Sequence, residues 1–396
     1  MGILGGERCM TDASKSICPG CGVSRLSDAL EWKAQPVILN YRFPTPESAR
    51  NVPRRDMEIR QCTNCGLIFN ATVDLSVIPY DERYENSQSS SPLFLDFMRD
   101  TGRSLTERYN LTGGTIMEVG CGKGGFLRMI CETANARGLG YDTSCEEAEG
   151  VEQDGVSFFK RYAGTEDVPP GLNAIICRHV VEHVPQIGEF MRLLADLSRA
   201  GGGSVVYVET PKWEWIVENE AFWDVFYEHC NYFPMPCLRY LAELGGLEVL
   251  DQRTVFGGQY QALELRSRET GVGPASPGIA EASSLSAFAA TVTGSRLRLR
   301  GKLEEAGASA GWGIWGAGAK GVSLASTFPD LPPRLVVDSN PAKQGSFIPG
   351  TDIPVVAPSD GALGALPVLL IANPNYLNEI RASLSQKSLS PILLTV

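Results

Sequence analysis

The chain has 396 residues, 43% of them hydrophobic, a formal net charge of −11 and a pI near 5.0. That length exceeds what one compact core organises and predicts two or three domains. The acidic balance excludes a general nucleic-acid or anionic-membrane binder, because such partners require a basic surface. No apolar run approaches the roughly 20 residues of a bilayer span, and residues 1–12 carry no secretory pattern. The expectation is a cytoplasmic protein whose eleven cysteines stay reduced and whose Cys-x-x-Cys pairs bind metal.

The first such pair is Cys18-Pro19-Gly20-Cys21-Gly22 and the second Cys62-Thr63-Asn64-Cys65-Gly66. Cys18, Cys21, Cys62 and Cys65 supply the four soft ligands that a tetrahedral Zn²⁺ site uses, with no open position, so the zinc is expected to be structural. The 40 residues between the turns exceed zinc-ribbon spacing and are expected to loop out. Ile78 to Asn86 then carries Tyr80 and Tyr84, a serine-rich run spans Ser87–Ser91, and Leu93–Tyr109 has helical periodicity.

From Thr115 to Ser267 strands and helices alternate, which predicts a mainly parallel, doubly wound sheet. Strands are expected at Thr115–Val119, Leu139–Asp142, Val156–Phe159, Ala174–Cys177 and Ser204–Glu209, with an antiparallel ending at Leu247–Val255 and Tyr260–Leu265. The first strand runs into Glu118-Val119-Gly120-Cys121-Gly122-Lys123-Gly124-Gly125, a glycine turn that opens a helix, where orphan N–H groups face a ligand. Asp142 follows about 20 residues on, where a carboxylate can bond both ribose hydroxyls of an adenosine. That pairing also fits NAD, but Glu118 would repel a pyrophosphate and suits a cationic amino-acid cofactor.

These residues resemble class I S-adenosylmethionine-dependent methyltransferases, whose first motif is an acidic residue followed by Gly-x-Gly-x-Gly. The resemblance implies that Glu118, Gly120, Gly122 and Gly124 hold the methionine part and Asp142 the ribose. Cys177 to Val184, which includes Arg178, His179 and His183, is similar to the segment bordering the cofactor and substrate pocket. His179 and His183 lie one helical turn apart, but no third ligand is evident nearby, so a catalytic metal is not expected. The third histidine of the chain falls in Phe226-Tyr227-Glu228-His229, where an imidazole beside a carboxylate suits proton transfer.

A Gly-, Pro- and Ser-rich stretch from Gly271 to Ala282 marks a boundary, and a helix of roughly 20 residues is expected over Leu285–Glu305. Then Trp315-Gly316-Ala317-Gly318-Ala319-Lys320-Gly321 repeats the strand, glycine loop and helix design, with further strands expected at Arg334–Asp338 and Val368–Ala372. Gly316-x-Gly318-x-x-Gly321 with Asp338 suggests a dinucleotide site. Lys320 and Lys343 would equally serve a nucleotide diphosphate carried by a substrate.

A four-cysteine zinc lobe (12–75), a class I methyltransferase Rossmann-like core (76–270) and a smaller C-terminal Rossmann-like α/β domain (271–396) occur together in one family. In this order the chain resembles the nucleotide-sugar C-methyltransferases, which methylate carbon beside the keto group of a 4-keto deoxysugar. The resemblance implies His229 as the base that forms an enolate, Glu228 as the group that orients it, and Tyr84 and His183 against the keto oxygen. Tyr80, Tyr227, Lys320 and Lys343 are the expected substrate-binding residues, and S-adenosylmethionine and Zn²⁺ the cofactors. One departure stands out: relatives acting on sugars carry a tyrosine where this chain has Phe226. It leaves room for a different activated sugar or a non-sugar acceptor. An O- or N-methyltransferase of a small molecule and a non-catalytic nucleotide-sugar binder are the competing readings.

Overall fold

A computed structural model of the chain describes residues 17–396 except 82, 86, 88, 147–148, 270–272 and 278–279. The expected domain boundaries at 12 and 271, and residues 1–12, lie outside the described residues. Strands are numbered along the chain. The N-terminal sheet has the order β1 (Leu30–Pro36), β2 (Arg54–Gln61), β3 (Ile68–Asn70) and β10 (Asn231–Tyr232). The stretch between the two cysteine turns is therefore not a looped-out insertion. It builds most of this sheet, and its last partner, β10, returns from much later in the sequence, just after His229.

The central sheet runs β11 (Leu247–Val255), β12 (Tyr260–Ser267), β9 (Val205–Pro211), β8 (Ala174–Arg178), β4 (Thr115–Val119), β5 (Arg137–Tyr141), β7 (Val156–Phe159) and β6 (Glu152–Gln153). Strands β4, β5, β7, β8 and β9 pair in parallel, and β11 and β12 form the expected antiparallel ending. The middle strands are apolar because helices cover both faces and no alternation is needed. The carboxyl end of β4 lies between β5 and β8, where the winding direction changes and a crevice opens.

A third sheet, all parallel, has the order β15 (Val355–Val356), β14 (Leu335–Val337), β13 (Trp312–Trp315), β16 (Val368–Ile371) and β17 (Ile392–Thr395). Its glycine loop follows β13 at the same kind of switch point. The helix Leu285–Glu305, capped by Ser284, acts as the spine between sheets: Phe288, fully buried, stacks on Trp32 of β1 and meets Trp213 edge-on at 5.1 Å. Each such aromatic contributes about 2–3 kcal/mol by burial. One continuous apolar cluster thus joins the N-terminal sheet, the tryptophan-rich segment and the C-terminal sheet, which fixes the walls of the crevice. No helix among the described residues is long and apolar enough to cross a membrane.

Candidate active site

The two cysteine turns face each other. Cys18 Sγ lies 3.6 Å from Cys65 Sγ, and Cys21 Sγ lies 3.6 Å from Cys62 Sγ. All four sulfurs fall within 4.8 Å of one another. A tetrahedron with Zn–S bonds of about 2.3 Å has edges near 3.8 Å, so the donor set fits zinc. The turns are copies: Gly22 N donates to Cys18 O and Gly66 N to Cys62 O, both at 2.9 Å, with the two glycines at φ +75° and +81°. Cys18, Cys62 and Cys65 are buried together with Ile187, Leu238 and Leu241, which ties the site to the helices beside the central sheet.

The glycine loop after β4 is shaped by contacts that only glycine permits. Gly120, Gly122 and Gly124 have φ of +76°, +53° and +74°. A Cβ on Gly120 would meet Val180 at 2.2 Å, and one on Gly124 the Phe158 ring at 2.4 Å. Asp142 does more than wait for a ribose: its Oδ2 accepts from Gly122 N at 2.8 Å and its Oδ1 from Ser144 N at 2.7 Å. Glu118 is 3% exposed, and its Oε2 has no hydrogen-bond partner among the described residues. Burial raises its pKa to about 8, against the pull of Arg178.

Arg178 is locked in place by Glu209, with Nη2 to Oε1 at 2.8 Å, and lies over the Phe126 ring at 4.3 Å. Tyr207 donates to the other Glu209 oxygen at 2.7 Å. Burial alone would raise the Glu209 carboxyl, but Arg178, His179 and Tyr207 draw it down to about 2. For His179 burial lowers the pKa, while the carboxylates of Glu182 and Glu209 outweigh it and hold the ring above its ordinary range.

Deeper in the crevice stand His183 and His229, their rings 4.9 Å apart and edge to face. His183 Nδ1 is 2.9 Å from the backbone carbonyl of Glu228. A carbonyl only accepts, so Nδ1 carries a proton. Tyr80 OH lies 3.4 Å from the same nitrogen. His229 packs against the ring of Phe226, centroids 4.1 Å apart, and its Nδ1 has no partner among the described residues. Burial, followed by the charges of His183, Lys320 and His179, lowers the His229 pKa well below its ordinary value. That direction favours the neutral imidazole, which has a ring-nitrogen lone pair. Glu182 joins the two histidines in a group whose ligand-type atoms lie within 4.8 Å, which sequence spacing did not reveal; Thr210 already donates to its carboxylate at 2.9 Å.

Three expectations are corrected by this geometry. Glu228 is fully buried but does not reach for His229: its carboxylate accepts from Leu39 N at 2.6 Å, from Asn40 Nδ2 at 3.2 Å and from Tyr84 OH at 2.7 Å. It orients the N-terminal lobe, because residues 39–40 bring it donors that His229 cannot match. Tyr227 is not on the substrate side. It is fully buried, and its hydroxyl accepts from Asp74 N at 3.0 Å, since the Phe226–Tyr227 step turns adjacent side chains to opposite faces. Lys320 does not stand free above its glycine loop: it forms a buried ion pair with Asp224 and lies 4.9 Å over the Trp215 ring. Lys343, by contrast, is 8% exposed and bonds only Ala317 O, at 3.2 Å, with no carboxylate partner among the described residues.

A cavity of about 390 Å³ joins these parts. Its wall includes Glu118, Gly120 and Gly122 from one glycine loop and Gly316, Gly318 and Gly321 from the other. Tyr84, Arg178, His179, His183, Phe226, His229, Lys320 and Lys343 complete the expected lining. Ser87, Ser89, Ser90 and Ser91 also line it, so the serine run is a wall, with Ser91 Oγ bonded to Glu379 at 2.8 Å. Asn40, Asp224 and Gln259 were not foreseen. Asp224 had a faint signal as an acid inside an aromatic stretch, whereas Asn40 and Gln259 had none.

A strand, a glycine turn held by an acidic residue on the next strand, and a buried histidine across the crevice define an S-adenosylmethionine-dependent methyltransferase. The comparisons agree and go further: residues 94–252 match a methyltransferase domain, and residues 268–389 match the C-methyltransferase C-terminal domain. The chain is thus similar to C-methyltransferases. It is 27% identical to C-methyltransferase NovU of Streptomyces niveus, across 92% of this chain and 90% of that protein. Among solved structures it is similar to magnesium protoporphyrin IX methyltransferase of Synechocystis PCC 6803 with bound SAH, at TM-score 0.34, 14% identity and 45% of this chain against 84% of that one. The 1,6-didemethyltoxoflavin-N1-methyltransferase of Burkholderia thailandensis matches at TM-score 0.33 and 12% identity, over 45% of this chain and 82% of that one.

Proposed function

We propose that this C-methyltransferase alkylates the carbon beside a keto group of a nucleotide-linked deoxysugar. The observation that carries the reading is the single cavity shared by both glycine loops and His229. S-adenosylmethionine supplies an electrophilic methyl on a sulfonium when bound at the loop of Gly120, Gly122 and Gly124. Glu118 faces its ammonium group and Asp142 its ribose. Arg178 and His179, fixed by Glu209, close that side.

The ketone acidifies the adjacent C–H bond, and neutral His229 removes the proton. The enolate carbon so formed would be the nucleophile, and the donor, when bound, would supply the electrophilic methyl carbon and a neutral thioether as leaving group. The remaining acceleration comes from holding carbon and methyl collinear at contact distance. Lys343, buried and without a carboxylate partner among the described residues, sits beside the second glycine loop as the cation for a diphosphate. Tyr80 sets the His183 ring. The four cysteines hold a structural zinc that orders the lobe delivering Asn40 and Tyr84.

The test is turnover with a thymidine-diphosphate 4-keto-6-deoxyhexose and methyl-labelled S-adenosylmethionine. His229→Ala should lower turnover roughly 100-fold or more, with cofactor affinity by calorimetry nearly unchanged. Wild-type turnover in that variant refutes the base assignment. A nucleotide-free ketone used as well as the nucleotide-linked one refutes the substrate class.

A further inference from the structure

An enolate oxygen inside a cavity needs a donor, and the groups first expected to supply one are already committed. Tyr84 has one proton and gives it to Glu228 Oε2 at 2.7 Å. His183 spends its Nδ1 proton on the Glu228 carbonyl. The Asn40 amide is turned to Tyr84 and Glu228, Arg178 to Glu209, and Lys123 to Glu146.

Two lysines of the C-terminal domain remain on the wall, and they are not equivalent. Lys343 stays beside its own glycine loop, near Gly318, on the carbonyl of Ala317. Lys320 starts one residue before Gly321 yet reaches into the neighbouring sheet's territory, where Asp224 and Trp215 hold it. Asp224 lies in the turn Phe222–Asp224, two residues before Phe226, whose ring covers His229. Asp224, Phe226, His229 and Lys320 all line the cavity. An ammonium has three protons, and the ion pair with Asp224 uses one.

We propose that Lys320 is a catalytic residue: carried across by the C-terminal glycine loop and anchored on Asp224, it donates to the enolate oxygen, while Lys343 serves the diphosphate. The inference rests on the enolisation reading above. In the step, the C–H electrons become the C=C bond, the carbonyl π pair moves to oxygen, and the proton goes to His229. Lys320 keeps its proton and donates a hydrogen bond to the new O⁻. Methylation then returns the oxygen to a ketone and releases a neutral thioether.

The test uses the full-length chain with a thymidine-diphosphate 4-keto-6-deoxyhexose. Washout of the proton beside the ketone is followed by NMR in D₂O with S-adenosylhomocysteine bound, and methyl transfer is measured separately. Lys320→Met should lower both washout and kcat about 100-fold, with nucleotide-sugar KM and cofactor affinity within about twofold. Lys343→Met should instead raise KM about tenfold or more at near-normal kcat. Should Lys320→Met lose cofactor binding, Lys320→Arg, which keeps the ion pair but moves the donor, should lower kcat about tenfold at unchanged KM. Intact washout in Lys320→Met, or a raised KM at normal kcat in either Lys320 variant, overturns the assignment while leaving enolisation standing. Carbon methylation by the wild type without any washout overturns both.

Discussion

Glu118 offers the sharpest quantitative test, because its carboxyl is 3% exposed and its pKa moves from 4.5 to about 8. At about 1.4 kcal/mol per pH unit, that shift corresponds to roughly 4–5 kcal/mol. The sign follows from proton counting. A folded pKa above the unfolded one means that the folded state holds the extra proton between pH 4.5 and 8, so the contribution is complete below pH 4.5 and lost as pH rises toward 8. Glu118→Gln removes the titration and keeps a neutral amide of similar size. In urea unfolding of cofactor-free protein, the wild type should lose about 4–5 kcal/mol relative to the variant between pH 4.5 and 8.5. Binding of S-adenosylmethionine brings an ammonium to the site and favours the ionised carboxylate. Wild-type affinity should therefore rise with pH up to about 8, and calorimetry near pH 7 in buffers of different ionisation enthalpy should show proton release. The variant should show neither. Parallel stability profiles together with a buffer-independent binding heat would refute the reasoning.

Gly124→Ala places a Cβ 2.4 Å from the Phe158 ring at φ +74°; a loss of about 1–3 kcal/mol in unfolding experiments and a weakened cofactor affinity are expected. Cys62→Ser should abolish stoichiometric zinc in metal analysis and lower the melting temperature, since metal binding contributes folding free energy; full zinc occupancy in the variant contradicts the site. Glu228→Leu strips acceptors from Leu39 N, Asn40 and Tyr84, so a destabilisation of about 3 kcal/mol or more is expected by denaturant titration.

Local chemistry made much of this fold legible. Val119, Gly120 and Asp142 announce a strand, a turn and its clasp within about 25 residues, and Thr115–Val119 and Val156–Phe159 fall where periodicity puts them. The N-terminal sheet was not legible, because β10 joins it from far along the chain and pairing at that separation leaves no local trace. The same long-range return explains the errors at the site. Glu228 next to His229 reads as a dyad, yet β10 follows immediately and draws the glutamate against residues 39–40, so adjacency in sequence becomes separation in space. The ion pair of Lys320 was not legible for a related reason: its partner Asp224 lies 96 residues away.

The two glycine loops share one design, a strand, a turn and an aspartate clasp, with different local geometry (Gly122 at φ +53°, Gly318 at φ −85°) and a difference in charge. Gly120 N donates to Tyr141 O at 2.8 Å, and Gly316 N donates to Val337 O at 2.7 Å. Asp142 Oδ2 accepts from Gly122 N at 2.8 Å, and Asp338 Oδ2 accepts from Ala317 N at 2.7 Å. Two residues before the first glycine, however, one strand carries Glu118 and the other Ile314, which is fully buried. The second loop thus lacks the carboxyl group and has Lys343 beside it instead. A cradle with an acid favours a cationic ligand and a cradle with a lysine an anionic one, through Coulomb interactions that a dry pocket strengthens. With one cavity between them, the proposed function has the pair sort a sulfonium donor to one side and a phosphorylated acceptor to the other. Lys320, crossing from the second cradle toward His229, lies on the line where the two must meet.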